Sequence, residues 1–191
     1  PAIVTLYDFG AEDDGTLYMV MERLQGHLLS DTMRTLPPRA LVGMARQLLG
    51  ALQVAHEKGL VHRDIKPDNI MVLHGAPHDD LGAPRVKLMD FGVAKAVEES
   101  GPRLTAYGQA IGTPYYMPPE QARGNHREMD ARSDVYALGA ILYEIVTRRV
   151  PFTAKTQNEL LRKIIEEEPQ PPRTVRAGVP PELEVICLKS L

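Results

Sequence analysis

Residues 62–69 read His62-Arg63-Asp64-Ile65-Lys66-Pro67-Asp68-Asn69, and Asp90-Phe91-Gly92 begins 21 positions after Asn69. The first stretch sets a carboxylate, a cation and a carboxamide along one short segment, with Lys66 two and Asn69 five positions after Asp64. The second places another carboxylate at the end of the apolar run Val86-Lys87-Leu88-Met89. A base, a positive charge and hard oxygen ligands together suit transfer of a phosphoryl group from a magnesium-bound nucleotide to a hydroxyl group. This is a match to an established arrangement, and the surrounding sequence must supply the frame that holds it.

Upstream, Pro37 and Pro38 precede a segment in which Leu41, Met44, Leu48, Leu52 and Ala55 recur at steps of three and four. That spacing predicts a helix to about Lys58 with one buried face. Gly59 ends it, and Leu60-Val61 leads straight into residues 62–69, so the helix fixes where that segment lies. Further back, residues 3–9 and 16–22 are apolar and β-prone around the turn signal Ala11-Glu12-Asp13-Asp14-Gly15, which predicts two antiparallel strands. Downstream, residues 70–73 and 85–89 predict a short hairpin. Its tip, His74 to Pro84, holds two histidines and two aspartates, which raises a metal site. Gly75 and Pro77 break any helix that would align His74 with His78, so a solvated loop extension is the better reading.

Residues 133–147 predict an apolar helix with Leu138, Ile141, Leu142, Ile145 and Val146 on its buried side. A second helix spans about 156–167, with Leu160, Leu161, Ile164 and Ile165 apolar. Glu166-Glu167-Glu168 forms its solvated end, and Pro169, Pro171 and Pro172 mark an extended loop. With 191 residues, 43% of them hydrophobic, the chain is long enough for a substantial core. A formal net charge of −3 gives no basic footprint for nucleic acid or an anionic membrane. The longest apolar window, Ala137 to Val146, is too short to span a bilayer and contains Glu144. The single Cys187 excludes an internal disulfide, and its apolar neighbours predict a buried thiol. A cytoplasmic location fits both observations.

Four segments, in order, resemble those of the protein kinases, in particular the Ser/Thr kinases of bacterial type. His62-Arg63-Asp64 resembles the catalytic loop and Asp90-Phe91-Gly92 the magnesium-binding triplet. Gly112-Thr113-Pro114-Tyr115-Tyr116-Met117-Pro118-Pro119-Glu120 resembles the end of the activation segment, with Pro118 where the family usually has Ala or Ser. Ser133-Asp134-Val135-Tyr136-Ala137-Leu138-Gly139 resembles the start of the central helix. The resemblance covers almost the whole chain. It implies an α+β, mainly α fold: the last two strands of an N-lobe with the hinge (residues 1–24), then an incomplete C-lobe (residues 25–191). The tip at 74–84 is longer than the family needs.

The same resemblance implies roles. Asp64 accepts or orients the proton of the acceptor hydroxyl, and Lys66 neutralises charge on the transferred phosphoryl group. Asn69 and Asp90 hold Mg2+, the cofactor that accompanies ATP. Met21 stands as gatekeeper of the adenine pocket, Glu22-Arg23-Leu24 as the hinge whose backbone recognises adenine, and Met71 as the pocket floor; Met21 also reads as a core residue. His62 and Phe91 stack with Leu6, and His62 is a packed histidine. Asp134 braces the catalytic-loop backbone. Glu120 is expected to be unpaired. Thr113 helps shape the acceptor site, and Arg63 receives an activation-loop phosphate. Partners are the nucleotide and protein substrates, with no nucleic acid and no membrane segment in this chain. A parent protein would be anchored by a segment elsewhere, and a homodimer of the parent would serve autophosphorylation.

A kinase also needs a Gly-rich loop, a strand lysine and a helix glutamate before the segment Ile3-Val4-Thr5-Leu6-Tyr7, and this sequence has no such loop or V-A-x-K motif. We therefore read the chain as a piece of a longer protein, inactive by itself. The alternative is a catalytically silent, kinase-like interaction module, which intact Asp64, Asn69 and Asp90 argue against.

Between Gly92 and Gly112 the sequence is polar, and Thr105 lies mid-segment. A phosphate there, of charge about −1.5 to −2, would form charge-assisted bonds with Arg63. Mass spectrometry of the active protein is expected to find phosphate on Thr105, and Thr105→Ala to lower activity; no phosphate at residues 100–107, or undiminished activity, refutes the switch.

Overall fold

The computed structural model describes residues 2–75, 79–80, 82–91 and 114–191. Among these, strands β1 (Leu6–Ala11) and β2 (Leu17–Met21) form an antiparallel hairpin, with a bulge between Leu6 and Asp8. A second sheet has the order β3-β4-β5, from Gly26–Leu28, Ile70–Leu73 and Val86–Leu88, and is antiparallel throughout. The helices are α1 (Leu29–Thr32), α2 (Pro38–Glu57), α3 (Pro119–Ala122), α4 (Ala131–Thr147), α5 (Gln157–Glu166), α6 (Pro172–Val175) and α7 (Pro181–Ser190). The fold is α+β and mainly α.

Helix α2 begins where expected. Pro37 is the extended N-cap and Pro38 takes the first turn, where its fixed φ suits the helix and its missing N–H is not needed. The helix stops at Gly59, which adopts φ 74° while Leu60 N–H closes back on the Ala55 carbonyl at 3.0 Å. Leu41, Met44, Leu48, Leu52 and Ala55 are all buried. They pack on Ile65, Ile70, Leu88 and the inner side of α4, including Leu138, Ile141 and Ile145. Each large apolar side chain so buried contributes about 1.5–3 kcal/mol relative to exposure. Helix α4 opens with a capping box: Asp130 accepts from Arg132 N–H at 2.8 Å, and Ser133 Oγ accepts from Asp130 N–H at 3.2 Å. A smaller cluster joins Phe152, Leu160 and Ile164 to Tyr115 and Ala122, seating α5 against the segment after Pro114. Cys187 is fully buried and burial pushes its thiol pKa up to about 12.

Three expectations need correction. The 74–84 extension is not simply solvated. Ala83 is fully buried, Gln47 of α2 donates to the Pro84 carbonyl at 3.1 Å, and Val86 N–H donates to Gln47 Oε1 at 3.3 Å. Arg46 pairs with Asp80, and a Cβ on Gly43 would run into Ala83, so this helical glycine is where the loop seats. His78 lies outside the described residues. The proline-rich stretch is not wholly extended, because Pro172 starts α6. Strand β3 was not foreseen.

The β1–β2 hairpin is uncovered among the described residues: Tyr7 is 67% and Phe9 65% exposed. Met21 is likewise 38% exposed and is not a core residue. The lead-in to the hairpin is tied down well. Residues 2–4 run parallel to β5, with Val4 N–H on the Leu88 carbonyl (2.9 Å) and Leu88 N–H on the Ala2 carbonyl (2.7 Å).

Gly26 sits where β3 meets β4, and a Cβ there would collide with the Val72 carbonyl. Backbone cannot yield as a flexible side chain can. Gly26→Ala is expected to destabilise the protein by about 2–3 kcal/mol, read as a lower urea midpoint; an unchanged midpoint would show that β3 can shift without cost.

Candidate active site

The site is built from the turn after α2 and the end of the β4–β5 hairpin. Asp134, at the start of α4, is 1% exposed and holds the turn in place. Its Oδ2 accepts from His62 N–H and its Oδ1 from Arg63 N–H, both at 2.9 Å. His56 Nε2, from the last turn of α2, donates to Oδ2 at 2.7 Å. One carboxylate thus fixes two successive amides and ties them to both central helices. That fixing holds Arg63 at φ 67°, the left-handed region that a side chain disfavours.

His62 is fully buried, with its ring 4.7 Å from that of Phe91. Its Nε2 donates to the Met89 carbonyl at 2.8 Å, while Nδ1 accepts from Asp64 N–H at 3.2 Å. The two contacts define the neutral ring. Burial agrees, pushing the His62 pKa below its ordinary value. The imidazole is a packing and bridging group with no free base nitrogen. Leu6, expected in the same stack, is 41% exposed.

Asp64 Oδ2 accepts from Lys66 Nζ at 2.9 Å and from Asn69 Nδ2 at 3.0 Å; the same Nδ2 reaches the Asp64 carbonyl at 2.8 Å. The 3-10 turn Pro67–Asn69 brings Asn69 back to Asp64. The sheet register then brings in Asp90. Ile70 pairs with Leu88, and Met89 N–H donates to the Asn69 carbonyl at 2.8 Å, so Asn69 and Asp90 lie at one end of the hairpin. Asp90 is exposed with φ 55°.

The residues expected to meet a nucleotide fall as follows. Leu28, Met71 and Lys87 are directly opposed across β3-β4-β5. They lie on the face away from the core, since Ile70, Val72, Val86 and Leu88 are the buried ones. Met71 and Leu24 are half-buried. Glu22 Oε1 is bound to Lys87 Nζ at 2.5 Å and to Thr5 N–H at 2.7 Å. The Lys87 ammonium beside it, with Thr5 N–H, holds the Glu22 carboxyl below the usual carboxylate range. Gly92, Thr105 and Thr113 lie outside the described residues.

A protein kinase domain model matches residues 1–184. The chain belongs to the protein kinase domain family. This kinase domain sequence is 40% identical over 100% of its length to the serine/threonine-protein kinase PknB of Mycolicibacterium smegmatis, covering 30% of that protein. It is 39% identical to PknB of Mycobacterium tuberculosis, again covering 30%, and 39% identical to the serine/threonine-protein kinase pkn3 of Myxococcus xanthus, covering 35%. The chain therefore spans about a third of the length of the curated relatives it matches.

Sequence reasoning missed three groups in the kinase domain. His56 is legible only as the end of the α2 stripe, one position past the buried Ala55. Lys87 reads as the solvent side of a strand. Tyr116 Oη donates to Glu144 Oε2 at 2.6 Å, joining the segment after Pro114 to α4; burial and that carboxylate push the phenol pKa up. Glu120, expected to be unpaired, accepts from Ser133 Oγ. Among the described residues, no helix is long and apolar enough to cross a membrane.

Truncating Asp134 would strand the two amides it holds, at about 1–3 kcal/mol each. Asp134→Ala is expected to lower the unfolding free energy by about 3 kcal/mol and to speed hydrogen exchange at His62 and Arg63. Unchanged exchange at both amides would show that the turn is held by other contacts.

Proposed function

We propose that the protein transfers the γ-phosphoryl group of ATP to serine or threonine hydroxyls of protein substrates. The carrying observation is the Asp64 carboxylate on a turn whose backbone Asp134 immobilises. Its Oδ2 is engaged by Lys66 and Asn69, so Oδ1 is the oxygen left to take the acceptor's proton. The acceptor oxygen bonds to the γ-phosphorus as the bond to the β–γ bridging oxygen breaks, and ADP leaves with that oxygen. Lys66, beside Asp64, offsets charge on the equatorial oxygens. The backbone of 22–24 and Met71 would receive the adenine.

The donor set suits Mg2+. Asn69 spends its Nδ2 on Asp64, which leaves the carboxamide oxygen, and exposed Asp90 offers a second hard oxygen at the same end of the hairpin. Bound there, the ion would neutralise phosphate charge. The β1–β2 hairpin and hinge, residues 1–24, would form part of the smaller lobe, with 25–191 the larger. Lys66 supports Ser/Thr acceptors by resemblance, in keeping with relatives that are serine/threonine-protein kinases.

In the intact protein, Asp64→Ala and Asp90→Ala are each expected to lower kcat by about 10³-fold or more. They should differ in binding: Asp90→Ala weakens Mg-ATP affinity, while Asp64→Ala leaves it nearly unchanged. Phosphoamino-acid analysis should show phosphoserine or phosphothreonine. Equal Mg-ATP affinities for wild type and the Asp90 variant, or dominant phosphotyrosine, would refute the assignment.

A further inference from the structure

We infer that Lys87 is a positioning residue for nucleotide binding: its ion pair with Glu22 clamps the hinge to the β3-β4-β5 sheet and sets where the hinge backbone lies. The inference rests on the functional reading above, in which residues 22–24 receive adenine through their backbone.

Four contacts converge on this one pair. Lys87 Nζ donates to Glu22 Oε1 at 2.5 Å and to the Ile3 carbonyl at 3.0 Å. Thr5 N–H donates to the same Glu22 oxygen at 2.7 Å, and Glu22 N–H returns a bond to the Thr5 carbonyl at 2.9 Å. The lysine therefore joins three stretches of chain: the lead-in to β1, the exit of β2 and the centre of β5. Both side chains are sheltered, at 13% exposure for Lys87 and 23% for Glu22, so the pair is weakly screened by salt. Other ion pairs such as Arg132–Asp130 and Arg162–Glu166 are far more exposed and each lies within one local segment.

Beyond this pair the hinge is held at its far end, where the Gln25 carbonyl accepts from His74 N–H at 2.9 Å. Arg23 and Gln25 are exposed, and Met21 is 38% exposed. The lead-in 2–4 is bonded to β5 through backbone as well as through Lys87, but among the described residues the chain leaving β2 has no ladder to β5. Among the described residues the Glu22 side chain bridges that gap, and Lys87 meets it. Lys87 also stands in register with Met71 and Leu28, so the clamp is anchored on the strand row that carries the adenine floor. Cutting it frees the hinge to sample other positions, and nucleotide binding must then re-order it.

The test uses the intact protein with Lys87→Met, which keeps the apolar stem, Glu22→Gln, the double variant, and Lys87→Arg. Lys87→Met and Glu22→Gln are each expected to raise KM for ATP and Kd for Mg-ATP about tenfold, equal to about 1.4 kcal/mol, with kcat changed less than about threefold. The double variant should be no worse than either single one, since all remove one interaction. Lys87→Arg should restore most of the affinity, and hydrogen exchange at Thr5 and Glu22 should rise in Lys87→Met. Wild type that binds no Mg-ATP would overturn the functional reading and this inference with it. Wild type that binds, alongside Lys87→Met and Glu22→Gln with KM within twofold or additive losses in the double variant, would leave the functional reading intact and overturn the clamp.

Discussion

The buried carboxylate of Asp134 is the constraint on which the rest of the site depends. A charge at that depth is tolerable only when its lone pairs are filled, and here two backbone amides and one imidazole fill them. The arrangement works in both directions. The carboxylate is stabilised by the turn, and the turn is forced into a shape that its own residues would not choose. Arg63 lies in the left-handed region because both its amide and that of His62 must reach the same side chain. The strained residue sits directly before Asp64, so the direction of the Asp64 carboxylate is set by helix α4.

From there the order spreads by bonds between successive neighbours. His62 passes it to Met89 through Nε2 and to Phe91 through ring packing. Asn69 passes it to Asp64 with its side chain and to Met89 with its carbonyl. The two short segments that carry Asp64 and Asp90 are thus cross-linked at several points, although 26 positions separate them in the chain. A neutral imidazole suits the task, because a charged ring would need a second acceptor where the structure supplies a donor.

Much of this was readable in the amino-acid order. The α2 stripe from Leu41 to Ala55 and the α4 stripe from Leu138 to Val146 are periodic, and periodicity survives any tertiary context. Asp64, Lys66 and Asn69 are close in sequence, so a single turn brings them together. What escaped notice is long-range or chemically ambiguous. Strand β3 has three residues, begins with a glycine pressed against the Val72 carbonyl and is formed by its pairing with β4. Gly43 looks like a flaw in a helix until Ala83 is seen against it. Lys87 alternates correctly for a solvent-facing strand position, and only the folded chain brings Glu22 to it. Glu120 was expected to be unpaired because the Ser133 hydroxyl, 13 positions on in the chain, reaches it only in the folded protein.

The uncovered β1–β2 hairpin bears on how these 191 residues behave in a test tube. Among the described residues, Tyr7, Phe9, Tyr18 and Val20 face water on a ribbon of two strands whose outer edges pair with no further strand. Such a ribbon is a template for strand addition and for apolar adhesion, with no proline or lysine within either strand to discourage it. Its colloidal behaviour is therefore governed by a small minority of its residues: dilute conditions and mild detergent would keep the preparation monodisperse, and high protein concentration would drive it into assemblies nucleated at this ribbon.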